Sequence, residues 1–249
     1  LFDPKSFTSR PWARPEEAVI HIFQAWDWGN LQWRIKAVDR SANALWFGNG
    51  GFQMGAKWDS DPARADQDSR FYVEGVLEEL DAPGEWYLDV REGVLHFLPP
   101  AGLDLATAQV EVPVLETVAA FEGPQDRPVE GITIDGLRIA HTASTFLSAY
   151  DVPSLSDWAV HRGGAVFFDG ARGCSVRNCW FDAVGGNAVF VNNYNRDVTV
   201  TGCKFTETGD SAVCLVGTLG LTNGTRRGFP YECTVSNNLI HDCGAFGKQ

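Results

Sequence analysis

One six-residue pattern recurs in the second half of the chain: apolar, polar, Gly or Asn, small or apolar, any residue, apolar. It appears as Ile134-Asp-Gly-Leu-Arg-Ile139, Val176-Arg-Asn-Cys-Trp-Phe181, Val200-Thr-Gly-Cys-Lys-Phe205 and Val235-Ser-Asn-Asn-Leu-Ile240. Gly185, Gly209 and Gly244 follow three of these stretches at the same offset. Two then lead into a second apolar run, Asn187-Ala-Val-Phe-Val191 and Ser211-Ala-Val-Cys-Leu215. The spacing fits a coil of about two dozen residues with insertions, in which each unit buries its apolar side chains against its neighbours. The column Gly136, Asn178, Gly202, Asn237 marks a corner whose backbone suits Gly and Asn. Val176, Val200 and Val235 are expected to lie in register, with Cys179 and Cys203 as inward neighbours.

Residues 1–110 follow a different pattern. Short strand-like runs are Ala18–Gln24, Leu31–Val38, Ala44–Phe47 and Arg70–Val76. Glu85-Trp-Tyr-Leu-Asp89 and Val94-Leu-His-Phe-Leu98, separated by a turn containing Gly93, predict a β-hairpin. The expected fold is therefore all-β: a right-handed parallel β-helix (solenoid) over 111–249, with a small antiparallel β domain over 1–110 inserted in it or preceding it. The last residues, Gly244 to Gln249, stop partway through a coil with no cap, which predicts a truncated fragment of a longer protein.

Composition narrows the function. The 249 residues are 44% hydrophobic and 21% charged, as in a packed globular protein. The net charge of −12, with acidic residues in excess in both halves, argues against nucleic acid as a partner. No apolar run is long enough to span a bilayer, so membrane insertion is not expected. The six cysteines, Cys174, Cys179, Cys203, Cys214, Cys233 and Cys243, form no zinc pattern and read as buried thiols, with a disulfide open. No cofactor or metal is implied. Asp59, Asp61, Asp66 and Asp68 lack the spacing of a calcium loop.

Several segments resemble a known group: His161-Arg-Gly-Gly-Ala-Val166, Gly185-Gly-Asn-Ala-Val-Phe190, Asn193-Tyr-Asn-Arg196 and Gly209-Asp-Ser-Ala-Val213, with Leu80-Asp-Ala-Pro-Gly-Glu-Trp-Tyr-Leu-Asp89 and Pro99-Pro100. They resemble bacterial right-handed parallel β-helix carbohydrate-active proteins. The nearest in kind is the glycoside hydrolase group with α-L-fucosidase and xylanase activities, with β-xylosidases more distant. The resemblance implies a secreted, periplasmic or cell-surface enzyme that degrades oligo- or polysaccharide. In that group the coils run on past the point where this chain ends.

Glycoside hydrolysis needs two carboxyl groups flanking the bond, about 5–5.5 Å apart for retention and about 6.5–9.5 Å for inversion. Adjacent strands offer the shorter spacing, about 4.8 Å. Glu207 and Asp242 occupy equivalent positions, and Asp210 follows the turn glycine Gly209; these three are the catalytic candidates. Each also reads as a turn-capping side chain. Substrate-binding candidates are Trp158, His161 and Arg162 on one insertion, Asn193, Tyr194 and Arg196 on a polar turn, and His241. Trp158 would stack on a sugar ring, and the polar groups would take its hydroxyls. Trp26 and Trp28 form either a stacking platform or a small core. The alternatives to hydrolysis are a lyase or epimerase acting on uronic acids, and a non-catalytic glycan-binding or adhesion β-helix.

Overall fold

The computed structural model describes residues 7, 10–23, 29–54, 69–152, 159–218 and 227–247. Contacts divide the chain into two units, one of residues 1–51 and 58–111, the other of residues 52–57 and 112–249.

In the first unit β1 (Val19–Phe23), β2 (Asn30–Asp39), β3 (Ala44–Gly50) and β4 (Phe71–Glu74) form an antiparallel sheet in the order β3-β2-β1-β4. Ile20, Ile22, Leu31, Trp33 and Ile35 are buried in it. The expected hairpin is present as β5 (Trp86–Asp89) and β6 (Val94–Phe97). Arg14 ties it back by a 2.7 Å ion pair with Asp89, within the same unit.

The second unit is built from three parallel sheets. One contains β7 (Ala119–Glu122), β8 (Val129–Glu130), β11 (Val166–Arg172), β14 (Val189–Arg196), β17 (Val213–Val216) and β18 (Pro230–Tyr231). The next has β9 (Thr133–Asp135), β12 (Ser175–Arg177), β15 (Thr199–Thr201) and β19 (Thr234–Ser236). The third has β10 (Arg138–Ala140), β13 (Trp180–Asp182), β16 (Lys204–Thr208) and β20 (Leu239–Cys243). Ile134, Val176, Val200 and Val235 pair in register across the second sheet. Ile139, Phe181, Phe205 and Ile240 do so across the third. One apolar cluster draws from all three sheets, with Phe168, Val176, Phe181, Val189 and Phe205 at its centre. Phe181 stacks on Phe205 at 4.9 Å and Phe121 on Phe168 at 4.7 Å. All six cysteines are free thiols, and Cys174, Cys179 and Cys203 lie buried in the same core.

The expected architecture needs correction. The all-β character holds, but the right-handed parallel β-helix expected of the chain does not describe it. The described residues form several separate sheets, three parallel and two antiparallel, rather than a single solenoid. The physical reason lies in what an apolar repeat specifies. It sets which residues pair and which face is buried, and leaves the winding that links the strands undetermined. Left-handed residues cut every repeat into short strands: Gly136, Asn178, Gly202 and Asn237 have φ of 72°, 51°, 66° and 54°. A long insertion from 141 to 165 then separates β10 from β11. Among the described residues no helix is long and apolar enough to cross a membrane.

β14 carries a bulge opposite β11. Asp169 pairs with Asn192 and Ala171 with Asn195, so two residues of β14 face one of β11. The buried Asn195 fills the irregularity by accepting from the Ala171 N–H at 2.9 Å and donating to the Asn192 carbonyl at 2.6 Å. Gly170, opposite the bulge, has φ +83°, and a Cβ there would stand 1.7 Å from the Gly123 carbonyl oxygen. Only glycine fits. The bulge also turns Asn193 to φ +49°, which redirects its side chain.

Candidate functional site

Asp210 sits where β16 turns towards β17. Gly209 precedes it, and a Cβ on Gly209 would meet the Gly185 carbonyl oxygen at 2.1 Å, so the turn admits no side chain. The Asp210 main-chain carbonyl accepts from the Thr208 hydroxyl and the Gly244 N–H, both at 2.8 Å. Its carboxyl is buried. Oδ2 accepts from the Tyr150 hydroxyl at 2.9 Å and the Thr145 hydroxyl at 3.3 Å. The main chain of Gly247 closes over Oδ1, where a Cβ would come within 1.8 Å. Burial raises the Asp210 carboxyl above the ordinary range, against the opposing pull of Tyr150, His161 and Thr145. Burial, then the Asp210 charge, pushes the Tyr150 phenol up as well. Burial thereby shifts Asp210 towards its neutral, proton-holding form.

The insertion supplies the groups around it. Asp151 and Val160 form an isolated antiparallel bridge. The residues beside the bridge reach two places. Tyr150 reaches Asp210, and its ring centre lies 5.7 Å from that of His161. His161 Nδ1 lies 3.0 Å from the Ala149 carbonyl oxygen. Asp151 and Arg162 pair with each other, and Arg162 also donates to Asn192 Oδ1 at 2.5 Å and to the Gly217 carbonyl at 2.8 Å. Asn187 fastens this segment by donating to the carbonyls of His161 and Gly163 at 2.9 and 3.0 Å. The same amide accepts from the Ser211 N–H beside Asp210. Gln53, from the short turn Phe52–Met54, donates to the Phe146 carbonyl at 2.7 Å across a long separation in sequence.

The other candidates fall in separate places. Glu207 and Asp242 are exposed, both at φ +54°, between the registered pairs Thr206–His241 and Thr208–Cys243. They therefore stand on adjacent strands, about 4.8 Å apart along the sheet. His241 lies beside Asp242, Nδ1 to Oδ2 2.7 Å. Neither Glu207 nor Asp242 shares a hydrogen bond with the Asp210 carboxyl. Asn193 donates to Asp169 at 3.0 Å. Tyr194 is buried and accepts from Arg172 at 3.2 Å. The Arg196 guanidinium lies over the Tyr194 ring at 4.2 Å and donates to the carbonyls of Asn195 and Phe229, each at 2.7 Å. Trp158 lies outside the described residues, as do Trp26, Trp28, the aspartates of 59–68 and Arg226.

Sequence reasoning brought Asp210, His161 and Arg162 forward, placed Asn192 in the polar turn that runs to Arg196, and passed over Tyr150, Thr145, Asp151 and Asp169. Asp169 closes the apolar run Ala165-Val-Phe-Phe-Asp169, and the alternation of faces that turns it outward shows in the burial of the strand and not in the residue types. Nothing in the local pattern points Tyr150 at a carboxyl sixty positions on. Replacing Tyr150 by Phe is expected to cost about 1–2 kcal/mol of stability, because the buried carboxyl loses its shorter side-chain donor. Urea unfolding at neutral pH measures it, and an unchanged midpoint would show that this hydrogen bond is not what seats the insertion.

A solved structure described as a glycoside hydrolase is similar in fold, with a TM-score of 0.77 and 20% identity. The match covers 96% of this chain and 47% of that one, so the chain spans about half the length of the structure it resembles. No family model and no curated protein sequence matches the chain.

Proposed function

We propose that the chain carries part of a secreted or cell-surface glycoside hydrolase that cleaves polysaccharide. The observation that carries this reading is the Asp210 carboxyl: buried, raised in pKa, and held by Tyr150 and Thr145 beside His161. A general acid for glycoside cleavage must hold a transferable proton, and a raised carboxyl pKa favours that form. The fold likeness to a glycoside hydrolase agrees with it. In this proposal Asp210 gives its proton to the glycosidic oxygen. Glu207 or Asp242, exposed on β16 and β20, serves in this proposal as the ionised partner that attacks the anomeric carbon or activates water. Trp158, His161, Arg162, Asn193, Tyr194, Arg196 and His241 are proposed to contact the sugar.

One further observation favours hydrolysis over elimination from a uronic acid. A lyase needs cationic groups to neutralise the uronate. Arg162 directs its N–H groups at Asp151, Asn192 and the Gly217 carbonyl. Arg196 directs its own at the carbonyls of Asn195, Phe229 and Arg227.

Mass analysis of products from neutral and acidic oligosaccharides tests the proposal. Hydrolysis adds one water across each cleaved bond. Unsaturated uronate products absorbing in the ultraviolet would replace hydrolysis by elimination. Full activity after separate amide substitution of Asp210, Glu207 and Asp242 would move the chemistry away from these residues.

A further inference from the structure

The outer face of the first parallel sheet carries three side chains, Phe167, Asp169 and Glu122, that the proposed chemistry leaves unused. Along β11, Val166 and Phe168 enter the core, so Phe167 and Asp169 face outward. Along β7, Phe121 stacks inward on Phe168, so Ala120 and Glu122 face outward. The two strands are in register, which sets Ala120 beside Phe167 and Glu122 beside Asp169. The two carboxylates thus project from neighbouring strands about 4.8 Å apart. Ala120 is too short to cover the flank of Phe167, whose other side packs near Phe190 with ring centres 6.1 Å apart.

Asp169 is aimed. Its Oδ2 accepts from Asn192 at 2.8 Å and from Asn193 at 3.0 Å, and Asn192 is itself held by Arg162. Among the described residues no hydrogen bond reaches Asp169 Oδ1 or the Glu122 carboxylate. The face therefore offers a half-exposed aromatic ring, one fixed acceptor, one adjustable acceptor and the Asn193 amide. A pyranose or furanose ring meets such a set with its C–H face on the aromatic ring and two neighbouring hydroxyls donated to the carboxylates. Two adjacent negative charges repel a uronate.

We infer that Phe167, Asp169 and Glu122, braced by Asn192, Asn193 and Arg162, form a subsite for one neutral sugar ring of the polymer. This rests on the glycoside hydrolase reading and adds to it the class of sugar and its place.

The test is calorimetric titration of the protein with neutral hexasaccharides (xylan, cellulose and fucosylated-glycan fragments) and with a hexagalacturonate. The wild type is expected to bind a neutral probe at least tenfold more tightly than the anionic one. Phe167→Ala is expected to weaken neutral binding about tenfold. Glu122→Gln, at an exposed position outside the core, is expected to weaken it about threefold and narrow the gap to hexagalacturonate; circular dichroism confirms that both variants fold. Equal affinity of wild type and both variants for the neutral probes would overturn the subsite. So would wild-type preference for the anionic probe, or failure to bind any neutral one. Product analysis separates this from the hydrolase proposal. Cleavage with unchanged binding in the variants removes the subsite and keeps the enzyme. Variant-sensitive binding without cleavage does the reverse.

Discussion

Phe181→Ala is expected to lower the unfolding free energy by about 4 kcal/mol, the middle of the range for a large aromatic cut to alanine in a core. Phe181 has no exposed surface and pairs in register with Ile139 on one side and Phe205 on the other. The Phe205 ring lies over it at 4.9 Å and nearly parallel, at 9°. Its removal leaves a hole between two strands whose backbones are pinned by parallel pairing, so the neighbours cannot close in. Trp180, the adjacent residue, supplies the contrast. It points outward and lies between the Arg138 guanidinium at 4.8 Å and the Lys204 ammonium at 4.7 Å. Exposed cation–π contacts of this kind contribute about 0.5–1 kcal/mol each. With the indole N–H also donating to the Thr206 hydroxyl at 2.9 Å, Trp180→Ala should cost about 2 kcal/mol, half as much. Urea midpoints of the two variants decide the matter, and a Phe181→Ala cost at or below that of Trp180→Ala would mean that the shared apolar cluster does not hold this unit together.

How legible this was in the sequence depends on the range of the interaction. Val176, Val200 and Val235 could be aligned because parallel pairing repeats one local pattern at each rung, and the pairings are found. Asn178 and Asn237 could be assigned to corners because the left-handed backbone they adopt is a property of the residue itself. The hairpin at Trp86–Phe97 was legible for the same local reason. The division into separate sheets was not, since pairing and burial say nothing of how successive strands are connected. The surroundings of Asp210 were half legible. Gly209-Asp210 stands out as turn chemistry, yet its burial comes from Tyr150, Thr145 and Gly247, two of them on an insertion with no repeat pattern. Glu207 and Asp242 were matched correctly to each other's register, but alignment could not reveal that both would be exposed at positive φ.

Asp210→Asn is expected to reduce kcat by about 10²–10⁴, the contribution typical of a general acid, with a smaller effect on KM. The amide keeps the shape of the carboxyl, and its oxygen still accepts from Tyr150, so the fold should persist. What it removes is the transferable proton. The same variant carries a second signature, in stability against pH. The folded-state pKa of Asp210 is raised above the ordinary aspartate value of 3.8, so between the unfolded and folded values the folded chain binds the proton more tightly. This contribution to stability is fully present below the unfolded pKa and is lost as pH rises through the folded one. The wild type should gain on Asp210→Asn in acid and fall back towards neutrality. Asp39, Asp89 and Asp182, whose pKa values are lowered, oppose that slope in both proteins and cancel in the difference. Urea midpoints across pH 3 to 8 give the difference curve. A flat curve would place Asp210 in ordinary contact with water and remove the support that its burial gives to the proposed proton donation.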